Sequence, residues 1–291
     1  MKRIVLFLLT NLAIVLVLAV VAQLTGLDGW LARQGESLGA LLAFAAVFGF
    51  SGALISLALS KWLARRTLGV RVIETPANAA EQWLLETVRA LAQRAGIGMP
   101  EVGIFQSAQP NAFATGPRRD SALLAVSSGL IAVMDRQEIA AVLGHEITHV
   151  ANGDMVTLTL IQGVVNTFVI FLSRIVGNIV DRALTRDDDD RGPAYLITVL
   201  LTQLVLGVLA SMIVMWFSRQ REFRADAGGA RLVGRDPMIA ALLRLQQAHD
   251  QPLPAQLSAF GISGGEARGW RHLFLSHPPL AARIAALRAP P

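Results

Sequence analysis

Three residues in this chain have the types and spacing for metal chemistry: His145, Glu146 and His149, within residues 135–154, DRQEIAAVLGHEITHVANGD. Histidines four apart on a helix project from one face, one turn above the other, so two imidazoles can reach one zinc ion. Glu146 is turned about 100° around the helix from His145. It stands beside the metal without ligating it, where a general base for the attacking water belongs. The competing reading is an exposed helix with incidental histidines, but only five histidines occur in 291 residues and two fall here. The helix itself is well signalled. Asp135 is an N-cap and Glu138, three residues on, completes a capping box. Ile139, Val142, Leu143, Ile147 and Val150 recur at three- and four-residue spacing as an apolar stripe, and Asn152-Gly153 marks the end.

A peptidase zinc takes three protein ligands and keeps one position open. The extended motif that would supply a third histidine from the same segment is absent, because Asn152 and Met155 occupy its glycine and histidine positions. The remaining candidates are Glu222, Asp226, Asp154, His249, His272 and His277. Glu222 is the best placed, in S-R-Q-R-E-F-R-A-D. Asp226 follows four residues later, so on a helix the two carboxylates share a face, and one can ligate zinc while the other orients a ligand histidine. A surface helix of alternating charge is the plainer account of the same residues.

The elements that must position these groups are mostly apolar. The chain is 53% hydrophobic and 16% charged, with mean hydropathy +0.50, too apolar for an ordinary soluble domain. It has no cysteine, which excludes disulfides and thiolate zinc sites. The net charge of +5 would suggest nucleic acid in a soluble protein. Here the basic residues cluster beside apolar runs, which points to membrane topology and to no nucleic-acid partner.

Four runs are long enough for a bilayer: residues 4–22, 38–59, about 155–173 and 194–217. A cleaved signal peptide competes for the first, but the run exceeds a usual signal core. Lys2 and Arg3 precede the first run; Lys61, Arg65, Arg66 and Arg71 follow the second; Arg219, Arg221 and Arg224 follow the fourth. That asymmetry places both termini and residues 61–154 and 218–291 in the cytoplasm. Arg174, late in the third run, leaves open whether that segment crosses fully. Asp187 to Asp190 read as a solvated loop and not as a calcium site.

Residues 61–154 read as a cytoplasmic part with a small sheet. An amphipathic helix over residues 79–95 ends at Gly96. A short strand follows over 102–106, then a turn at 110–116 leading into extended chain, a hairpin tip at 116–120 and a partner strand over 121–127. The expected fold class is therefore a mainly α membrane protein: four transmembrane helices with an α+β catalytic domain carrying a small β-sheet.

Taken together, the four apolar segments, N-A-F-A-T-G at 111–116, G-H-E-I-T-H at 144–149, A-N-G-D at 151–154, S-R-Q-R-E-F-R-A-D-A at 218–227 and S-H-P-P at 276–279 resemble the HtpX-type membrane zinc endopeptidases, relatives of the CaaX prenyl endopeptidases. The resemblance runs over essentially the whole chain. It implies a zincin-like catalytic domain of the gluzincin type, one Zn(2+) per chain on His145, His149 and Glu222, and Glu146 as catalytic base. It also implies a bacterial inner-membrane protease with a cytosolic site, acting under stress on misfolded or damaged membrane proteins.

Other residues have open roles. An extended substrate pairs with an edge strand near Asn111, Ala112, Phe113 and Ala114, or that segment merely shapes a turn. His277 donates to the developing oxyanion, or His277-Pro278-Pro279 caps the last helix, Leu280–Arg288; Arg283 on that helix is a further candidate. Two rival functions remain. A zinc-binding membrane scaffold or chaperone would normally show four protein ligands. A narrow processing protease would call for a chamber built from more membrane helices.

Overall fold

The computed structural model describes residues 37–184, 193–248 and 275–289. The apolar run at 4–22, the aspartates at 187–190, His249 and His272 lie outside the described residues. The chain divides into two compact units, Met1–Ile55 with Thr159–Val214, and Ser56–Leu158 with Met215–Pro291.

Among the described residues, three helices are long and apolar enough to cross a membrane: α1, Leu38–Thr67; α5, Asp154–Leu184; and α6, Pro193–Val233. In the first unit, Leu38, Leu41, Leu42 and Ala45 of α1 pack with Phe171 and Ile175 of α5. The opposite faces stay bare. On α6, Leu196, Leu200, Leu204, Val208 and Ile213 are between 46% and 66% exposed, as expected of side chains whose solvent is lipid. The helices of 31 and 41 residues outrun the apolar stretches read from hydropathy. Backbone hydrogen bonding continues wherever no breaker interrupts it, and the chain carries neither proline nor glycine between Val208 and Ala227.

The second unit holds the remaining helices and a four-stranded mixed sheet. Its strands are β1 (Arg71–Val72), β2 (Glu101–Phe105), β3 (Ala112–Thr115) and β4 (Leu123–Ser127), in spatial order β1-β2-β4-β3. The pair β3–β4 is antiparallel, as a hairpin requires, with a 3-10 turn at Arg119–Ser121 inside the connection. The pair β2–β4 is parallel, Glu101 opposite Leu123 through Phe105 opposite Ser127, and β1 adds an antiparallel edge. Neither feature announces itself in hydropathy, because β1 is two residues long and pairing direction has no local signature.

The sheet is covered on both faces, so β4 is apolar and buried along its length. One face packs Val102, Leu124 and Val126 into the main core. There they meet Leu84 and Val88 of α2 (Ala79–Ala95), Val142, Leu143 and Ile147 of α4 (Arg136–Asn152), Leu242 of α7 (Arg235–Ala248) and Ile284 of α8 (Leu280–Arg288). The other face gathers Ala64, Val70, Phe105, Phe113 and Leu123. The short α3 (Ser128–Val133) links β4 to α4, capped by the Ser127 hydroxyl, which accepts from Leu130 N at 3.0 Å.

Candidate metal centre

The site is built on α4, and the local sequence fixes both its ends. The Asp135 side chain accepts from Gln137 N and Glu138 N, and the Glu138 carboxylate accepts from Asp135 N at 3.0 Å, closing the capping box. At the other end Gly153 adopts the left-handed conformation, φ 67°, and donates to His149 O and Val150 O. A β-carbon is strained there. The next residue, Asp154, opens α5 at once, so its carboxylate turns back against α4. Residues 141–150 are buried on every side, beyond what the apolar stripe alone requires, because α2, β3 and α7 all pack against this helix.

His145, Glu146 and His149 are at most 6% exposed. Glu222 reaches them from α6, fully buried. His149 Nε2 lies 3.0 Å from His145 Nε2 and 3.2 Å from Glu222 Oε1, and His145 Nε2 lies 3.4 Å from Glu222 Oε2. A tetrahedral ion with bonds of about 2.0–2.1 Å separates its donors by about 3.3 Å. The three residues therefore present one donor each at the spacing a single zinc ion needs. Both oxygens of Glu222 are buried without a hydrogen-bond partner, a costly state for a carboxylate that a cation relieves. The donor set fits a metal.

A second ring of charges holds the candidate ligands in place. Asp154 Oδ2 lies 2.7 Å from His149 Nδ1, and Asp226 Oδ1 lies 2.9 Å from His145 Nδ1. Each carboxylate engages the nitrogen that faces away from the convergence point, which leaves Nε2 of both rings for the metal. Asp226 is held in turn by Arg283 of α8, which donates from Nε at 2.7 Å and from Nη2 at 2.6 Å. Arg283 Nη1 is 3.7 Å from Glu222 Oε2. His277, in the turn before α8, brings Nδ1 to 2.9 Å from Glu222 Oε2. Its orientation is not that of a hydrogen bond, since both atoms lack one.

These charges decide protonation in the absence of metal. Burial disfavours a charged His149, but the Glu222 charge and the Asp154 hydrogen bond outweigh it and raise the imidazole from its ordinary 6.5 to about 9. Burial opposes charge on His145 as well, and Asp226 with Glu222 raises that ring too.

Glu222 and Asp226, one helical turn apart, thus meet the same histidine, and Asp154, His277 and Arg283 join the same cluster. Of the substrate-strand candidates, Ala112, Phe113 and Ala114 fall on β3, an edge of the sheet that packs on α4, and Asn111 immediately precedes it. Asn111 Oδ1 there is buried without a hydrogen-bond partner. One position escaped the sequence reading. Gly228, on α6, has no room for a β-carbon, which would fall 2.2 Å from Thr148 Cγ2 of α4. This close approach draws α6 onto α4 beside the histidines. The only signal for it is a Gly-Gly pair inside a helix, an unfavourable choice unless backbones must meet.

This constellation has the form of a metallopeptidase centre, and a model of Peptidase family M48 matches residues 78–290. The chain belongs to that family. It is 63% identical over 289 residues to a "Protease HtpX homolog" of Thiobacillus denitrificans, covering 99% of each chain. It is 61% identical over 291 residues to "Protease HtpX" of Nitrosococcus oceani, again over 99% of each. Among solved structures it resembles S. mikatae Ste24p with a TM-score of 0.60 at 19% identity, over 98% of this chain and 67% of that one, a likeness of fold. The HtpX-type resemblance carried by the motifs is borne out.

Proposed function

We propose that this chain is a zinc-dependent endopeptidase of the gluzincin type, embedded in a bacterial inner membrane, that hydrolyses misfolded or damaged membrane proteins on the cytoplasmic side. The observation that carries the reading is the convergence of His145, His149 and Glu222 within ligand distance of one another, with Glu146 next to His145 on the same helix. Family membership and relatives above 60% identity that bear the name protease support it.

His145, His149 and Glu222 would hold one zinc ion per chain. When bound, the ion supplies Lewis acidity, acidifying water and polarising the scissile carbonyl. Glu146 takes the proton from the attacking water and delivers it to the leaving amine. Asp154 and Asp226 keep the two imidazoles in the ligating tautomer and orientation. Arg283 fixes Asp226, and His277 beside Glu222 is the candidate donor to the developing oxyanion. The edge strand β3, with Asn111 just before it, pairs with extended substrate backbone, which suits a protease that meets varied unfolded segments because strand addition reads main chain.

We take the apolar run at 4–22 as a fourth membrane span in addition to α1, α5 and α6, and the second unit as a zincin-like α+β domain. The positive clusters after residues 60 and 217 set the active site in the cytoplasm. A scaffold role is less well supported, since three protein ligands beside a glutamate base exceed what structural zinc uses in one respect and fall short in another. The test is metal removal. Protein stripped by a chelator should lose casein cleavage and regain it at about one zinc per chain. Undiminished cleavage by metal-free protein would overturn the proposal.

A further inference from the structure

Arg174 is a cation in an apolar segment, and no metal chemistry uses it. Its guanidinium sits over the Phe44 ring, 4.1 Å from the centroid. Its Nε is buried and has no hydrogen-bond partner. Among the described residues no carboxylate pairs with it. Asp181, two turns further along α5, accepts instead from Tyr195 N at 3.1 Å. An unpaired guanidinium in such surroundings is expensive, so its depth matters.

Arg174 stands about 20 residues beyond Asp154 on α5, a rise of about 30 Å, which equals the hydrocarbon thickness of a bilayer. The length of α6 gives the same measure. Its exposed apolar side chains run from Leu196 to Phe217, about 32 Å of helix. Tyr195, at the far end of that stripe, packs against Gly177, one turn past Arg174. The cation is thus level with an aromatic residue where a lipid headgroup begins.

We propose that Arg174 binds the phosphate of an anionic phospholipid, in the leaflet at the end of α5 opposite Asp154. The phosphate accepts from the terminal Nη groups while Phe44 backs the guanidinium. The acyl chains cover the neighbouring apolar surface, where Leu172, Val176 and Ile179 are between 37% and 50% exposed. That surface is why a lipid, and not free phosphate, is the occupant. The inference rests on the membrane reading above.

The test uses full-length protein purified in detergent, titrated with phosphatidylglycerol, with phosphatidylcholine or with inorganic phosphate, and read by native mass spectrometry. Wild type should retain phosphatidylglycerol in preference to phosphatidylcholine. Arg174→Gln should weaken the tightest phosphatidylglycerol site by about tenfold or more, and Arg174→Lys should recover part of it. Unchanged zinc content in both variants serves as the check on folding. Equal phosphatidylglycerol retention by wild type and Arg174→Gln would overturn the inference, as would competition by millimolar-range phosphate, which would make the ligand a soluble anion. A chain recovered in the soluble fraction without detergent would instead overturn the membrane reading on which it rests.

Discussion

Asp226 serves two partners at once, His145 on one side and the buried Arg283 on the other. Replacing it with asparagine removes the nearest counter-ion of a fully buried arginine, which costs up to about 3–5 kcal/mol, and frees the His145 ring to turn. Asp226→Asn should therefore lower both the unfolding midpoint and zinc affinity. Asp154→Asn, whose partner among the described residues is His149, should lower zinc affinity by about 10–100-fold with a smaller effect on stability. Competition with a zinc-sensitive dye separates the two; unchanged affinity in both would contradict the orienting roles. Proton linkage gives a second residue-scale expectation. With His149 raised from 6.5 to about 9, the metal-free protein gains stability that is complete below pH 6.5 and is lost as pH climbs through about 9. A zinc ion must displace that proton, so binding at pH 7 should release about one proton or more and weaken as pH falls. Calorimetry in buffers of different ionisation heat reads this directly, and a buffer-independent heat would refute it.

At the scale of elements, the site depends on how closely two helices meet. Gly228→Val places a branched side chain where even a β-carbon would strike Thr148, so α6 must shift from α4 and carry Glu222 with it. A loss of about 1–3 kcal/mol together with reduced zinc occupancy is expected. A loss of stability with full zinc occupancy would mean that the approach matters only for packing. Helix α4 was legible from sequence at both ends, because a capping box and a C-terminal glycine are local devices read from side-chain chemistry. Glu222 and Asp226 were legible as a pair through their four-residue spacing. The parallel pairing of β2 with β4, the two-residue β1 and the short α3 were not, since they depend on contacts distant in sequence. The close contact at Gly228 was hidden for the same reason: a glycine pair does not say which helix will press against it.

For the whole molecule, the proposed function requires a membrane-embedded chain with its metal centre on one defined side. The protein has no cysteine, so a single one introduced at exposed Gln137 reports topology without background. In intact cells it should resist an impermeant thiol reagent and react only after lysis; labelling from outside would reverse the orientation. Hydropathy revealed the three long helices because lipid demands continuous apolar segments. It did not reveal that α6 runs on unbroken from its apolar stretch to Glu222, since polar residues after Phe217 leave the helix without changing its backbone. The proposed function turns on hydrolysis by Glu146, which neighbours His145 on α4. Full-length wild type and Glu146→Gln should each be loaded with zinc and incubated with casein. Cleavage by wild type, its loss by about 100-fold or more in the variant and equal zinc content are the predicted result. Equal cleavage by both proteins would contradict it.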